Sequence, residues 1–126
     1  MRVFFVFLLL VCNLSLAQSK SYHCPVSEKY DAGGNIYTQE MMEKYRYSVN
    51  VIDMGDTAIL ERCSFSSSAG SVTCDTYDVD HIERDSGGGD KYYYFSGMFD
   101  VQIIGSLFIE NNGRGGIAFG NCEDKS

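Results

Sequence analysis

The sequence predicts an α+β fold in which one amphipathic helix packs on an antiparallel β-sheet held by two disulfides. Three observations carry this. A stripe of apolar residues repeats at helical spacing over residues 38 to about 49. The chain after it alternates at strand period between Gly-, Ser- and Asn-rich breaks. Four cysteines remain beyond residue 17.

The first segment reads as an export signal. Arg2, an apolar run over residues 3–12 and the small-x-small exit Ser15-Leu16-Ala17 stand in the order of a charged n-region, an h-region and a cleavage site. That run is about half of the roughly 20 residues a membrane-spanning helix needs. Residues 1–17 are expected to leave as a signal peptide, with residues 18–126 forming a single secreted domain that starts at Gln18. Removing 17 of 126 residues leaves 109, enough for one modest core.

Charge narrows the ligands. Without Arg2, nine Lys and Arg face seventeen Asp and Glu, a net −8. The cations form no run, and tight sequence-independent nucleic-acid binding needs many of them to neutralise phosphates.

The helix is expected from Thr38, a capping residue, to about Val49. Glu40 and Glu43 suit its positive end, and Met41, Tyr45, Ser48 and Ile52 mark its buried face beside Met42 and Val49. Strands are expected over residues 57–65, 71–79, 91–98, 100–110 and 115–121. Ser66-Ser67-Ser68-Ala69-Gly70 and Asn111-Asn112-Gly113 read as turns, and Gly87-Gly88-Gly89 as a loop. The residues before the helix are expected to form only a short N-terminal segment.

Cys12 leaves with the signal, so Cys24, Cys63, Cys74 and Cys122 remain, an even number with three possible connectivities. We favour Cys63–Cys74, near the facing ends of two neighbouring strands, and Cys24–Cys122, which closes nearly the whole domain. On the chain-entropy model the long closure contributes about 4–5 kcal/mol. No Cys-x-x-Cys pair points to zinc, and Asp75, Asp78 and Asp80 lack the glycine and terminal glutamate of a calcium loop. No metal or other cofactor is expected.

Tyr92-Tyr93-Tyr94-Phe95, Leu107-Phe108-Ile109-Glu110-Asn111-Asn112, Gly116-Ile117-Ala118-Phe119 and Cys122, in this order, resemble the C-terminal half of the fungal guanyl-preferring ribonucleases. Tyr22-His23-Cys24 just after the signal, with a late cysteine, resembles the ribonuclease-like secreted effectors of powdery mildew fungi. The resemblance implies a microbial ribonuclease-like sheet. It also implies a virulence protein delivered into plant cells, reaching the host cytoplasm.

Catalysis is not implied. Aligned by these motifs, Tyr94 stands at the family's glutamate, Gly105 at its arginine and Gly120 at its histidine. A phenol with a pKa near 10 is a poor base, and glycine offers neither proton nor cation. His81 and Glu83, two apart on a strand, share a face and are the remaining acid–base pair to consider. The expected function is therefore a non-enzymatic effector, a monomer off the membrane, that binds host plant proteins to suppress defence. Weak host RNA binding, or a weak residual ribonuclease activity, is the alternative. Tyr22, His81, Glu83, Tyr92 and Tyr93 are the candidate binding surface.

Overall fold

The computed structural model describes residues 19–126 apart from Gly88. The expected signal peptide and the centre of the Gly87-Gly88-Gly89 loop lie outside the described residues. Among those described, the chain forms ten strands and one short helix. In order they are β1 (Lys20–Tyr30), α1 (Gln39–Tyr45), β2 (Ser48–Asp53), β3 (Ala58–Ser66), β4 (Ser71–Asp78), β5 (His81–Arg84), β6 (Asp90–Phe95), β7 (Phe99–Ile104), β8 (Leu107–Asn111), β9 (Ile117–Asn121) and β10 (Glu123–Asp124).

The α+β, ribonuclease-like expectation is overturned: the structure is an almost wholly antiparallel sheet curled into a half-barrel. Its order is β4-β3-β2-β1-β9-β8-β7-β6-β5, with β10 beside β1. The expected helix is cut short. Thr38 does cap it, accepting from the Met41 amide at 3.2 Å. Arg46 then turns left-handed at φ 47°, and the helix ends having buried no residue. From Ser48 the pattern is strand-like: Val49, Val51 and Asp53 are buried and the residues between them are not. The β-branched Val49, Val51 and Ile52 favour the pleat over a helix, where their χ1 freedom is lost.

The strands depart from the sequence expectation at two further places. The N-terminal segment is no appendage: β1 is the long central strand, pairing β2 with its first half and β9 with its second, through an irregularity between Val26 and Glu28. Pro25 beside that irregularity disguises the strand in sequence. The expected strand over residues 100–110 is two strands, folded back at Gly105-Ser106, with Gly105 at φ 62°.

The core lies inside the curl. Cys24, Val49, Val51 and Leu60 from β1–β3 meet Tyr93, Val101, Ile103 and Phe108 from β6–β8. Both disulfides connect paired neighbours or ends: Cys24 to Cys122, 98 residues apart, and Cys63 to Cys74, directly opposite in the β3–β4 ladder. Two polar braces also cross the interior. Arg62 of β3 donates to Glu110 of β8 at 3.0 Å. Asp53 of β2 accepts from Arg84 of β5 and from Tyr93 of β6, each at 2.7 Å.

Candidate functional site

Alternation along β6–β9 sorts side chains between the core and an outer face that no element covers among the described residues. The rows follow from the register. Gln102, Ile109 and Phe119 lie side by side. Ile104 pairs with Leu107 on one flank, and Asp100, Asn111 and Ile117 form the other. Tyr30 reaches this flank from β1, its ring edge-on to Phe119 with centroids 6.3 Å apart. Leu107, Ile104 and Ile117 are 41, 38 and 38% exposed. A shallow hollow of about 440 Å³ between Tyr30, Ala32, Gly115, Ile117 and Phe119 completes the patch.

Tyrosines and one ion pair border the patch. Tyr92 and Tyr94 of β6 face outward, opposite Glu83 and His81 of β5. The His81 ring stacks on Tyr94 with centroids 5.8 Å apart, and its Nε2 lies 2.6 Å from Glu83 Oε1. Both side chains are well exposed. Arg84 does not join them, because strand alternation turns it inward to Asp53.

The candidate surface predicted from sequence therefore divides. His81, Glu83 and Tyr92 share the outer face, joined by Tyr94. Tyr93 does not: it is wholly buried, and burial together with the Asp53 hydrogen bond pushes its pKa far above the usual phenol value. Nor does Tyr22, which points inward against the core, 5.2 Å beneath the Lys91 ammonium. His23 hydrogen-bonds Asn50 Oδ1 at 2.6 Å beside the Cys24–Cys122 bridge.

The three positions aligned with catalytic residues do not gather. Tyr94 pairs with Asp100 near one end of β7, while Gly105 forms the turn at the other end. The five steps from Asp100 to Gly105, at about 3.3 Å each, separate them by roughly 16 Å. Gly120 has a packing role: a Cβ there would overlap the Pro25 carbonyl and the Phe108 ring.

A groove on the concave side was not visible in the sequence. It holds about 520 Å³ and is lined by Arg62, Tyr77, Asp78, Phe95, Phe99 and Arg114, among others. A second hollow of about 210 Å³ shares Arg62 in its wall and is lined by Lys29, Asp75 and Glu110, among others. The Lys29 ammonium sits 4.1 Å from the Tyr47 ring centre and 5.4 Å from that of Tyr37. Burial lowers the Lys29 pKa, Glu110 opposing that and Arg62 adding to it. Among the described residues, the group with metal-ligating atoms close together is Glu61, Cys63 and Cys74, and both sulfurs are spent in the disulfide.

No helix of the described residues is long and apolar enough to cross a membrane. Compared with family models, with curated proteins and with solved structures, the chain matches none.

Proposed function

We propose that this is a secreted binding protein that acts on a protein partner through the outer face of β7–β9 and performs no catalysis. The observation that carries the reading is the uncovered apolar patch of Ile104, Leu107, Ile109, Ile117 and Phe119, rimmed by Tyr30, Tyr92 and Tyr94. Contiguous apolar surface on a small domain costs solubility unless something covers it, and tyrosine is enriched in protein contacts. Two disulfides suit an oxidising compartment, which an exported protein meets. The partner class we propose is a host plant protein, the target expected for an effector.

RNA has less support as the ligand. Arg62 and Arg84 are engaged by Glu110 and Asp53, and Lys29 lies against tyrosines, so these cations are not free to meet phosphates. Acid–base chemistry has less support too, since His81 and Glu83 stand on an open face with Arg84 turned away.

The test compares residues 18–126 with a Leu107→Asp/Ile117→Asp variant as bait in host tissue extract. A partner held by the first and released by the second, with circular dichroism unchanged, is the expected outcome. Equal capture by both, or cleavage of an RNA oligonucleotide by the purified protein, overturns the reading.

A further inference from the structure

The two edges of the half-barrel are built differently. β5 is four residues long and carries His81, Glu83 and Arg84, the short, charged edge that discourages further pairing. β4 is twice as long, with eight residues and neither proline nor lysine. All eight pair with β3 on one side. No strand among the described residues lies on its other side. Every β4 residue except Tyr77 is exposed.

We infer that β4 is a docking edge for an extended segment of a partner protein carrying Lys or Arg three residues apart. The backbone offers an unpaired row of N–H and C=O groups, which an added strand satisfies. The edge is also rigid before anything binds, because Cys63–Cys74 ties β4 to β3 in a fixed register. Preorganisation removes part of the ordering cost of association.

Charge selects the occupant. Asp75 lines the smaller hollow on the concave side, and Asp78, three residues on and therefore on the opposite pleat, borders the larger one. Neither has a cation within salt-bridge distance among the described residues. Arg62, opposite Asp75 in the ladder, is turned to Glu110, and Ile59 stands opposite Asp78. Opposite charges directly across a strand pair are favourable and like charges are not. A second copy of the chain is therefore a poor occupant, since β4 against β4 would bring four carboxylates to the seam with no cation. A strand with two basic residues at the matching spacing places one beside each aspartate.

This edge is separate from the apolar patch of β7–β9, so either can fail without the other. The probe is a capped eight-residue peptide of threonine and valine with two lysines three apart, titrated into ¹⁵N-labelled residues 18–126. Amide shifts and slowed exchange confined to residues 71–78 and their β3 neighbours are expected. Asp75→Asn/Asp78→Asn should weaken binding about tenfold. The peptide with glutamates for lysines should not bind, and Leu107→Asp/Ile117→Asp should leave the titration unchanged. Shifts centred on β7–β9, an equal response to the glutamate peptide, no shift at millimolar peptide, or a concentration-dependent dimer through β4 would each overturn the inference.

Discussion

The Tyr93 hydroxyl donates to Asp53 Oδ2 at 2.7 Å, inside the core and 40 residues away in sequence. It joins β6 to β2, elements at opposite sides of the curled sheet. Arg84 and the Gly55 amide complete the shell around this carboxylate, at 2.7 and 2.9 Å. Replacing Tyr93 with Phe keeps the ring and deletes one donor to a buried charge. We expect a loss of about 1–3 kcal/mol, read as a lower urea midpoint with an unchanged slope.

The same brace makes stability depend on acid. Burial by itself would raise the Asp53 pKa, but the hydrogen bonds from Arg84, Tyr93 and Gly55 prevail and hold it below the ordinary carboxylate value. A depressed folded pKa contributes stability that is present above the unfolded value near 3.9 and lost as pH falls through the folded one. Melting temperature should therefore drop from pH 5 to pH 2. Asp53→Asn should be less stable at pH 6 and lose less over that interval. An equal loss in both proteins would assign the acid sensitivity to other carboxylates.

Tyr93 should add an alkaline sensitivity to the fold. Its pKa is raised by burial and by the Asp53 bond, so its stabilising share is complete below the ordinary phenol value near 10 and fades at higher pH. Unfolding between pH 9 and pH 11.5 should steepen in the native protein. The Tyr93→Phe variant should lose less over the same range.

Gly120 should resist enlargement. Gly120→Ala forces a methyl against the Pro25 carbonyl and the Phe108 ring where β9 pairs with β1. Overpacking of this kind costs about 1–3 kcal/mol, and thermal unfolding should show it. Gly120→His, which would restore the histidine the alignment asks for, should be worse still and yield no ribonuclease activity.

The two disulfides should contribute unequally. Cys24–Cys122 closes a far longer loop than Cys63–Cys74, with separations of 98 and 11 residues. The chain-entropy model puts about 1–2 kcal/mol between them. Paired Cys→Ser substitutions compared by calorimetry should lower the melting temperature more for the long bridge. The short bridge should matter chiefly to order at the β4 edge, visible as faster amide exchange there.

Local chemistry alone determined a good part of this molecule. The Thr38 cap, the Asn111-Asn112-Gly113 turn, the serine loop and the hairpin that brings Cys63 to Cys74 each depend on residues close in sequence. The alternation of Tyr92, Tyr93 and Tyr94 was equally legible, though not which of them would be buried. Only the tertiary structure decided that the stripe ending in Val49 would break at Arg46 and become strand. Its apolar residues satisfy both periods, and the choice fell to pairing with β1 and β3. It alone placed β1 at the centre, because a proline hides a strand that earns its place through partners on both sides. Curling the sheet then turned Tyr93 and Tyr22 inward and left Leu107, Ile109 and Phe119 outside. Which face of a strand is core depends on which way the sheet bends, and that is fixed by contacts such as Asp53 with Arg84 that no short stretch of sequence contains.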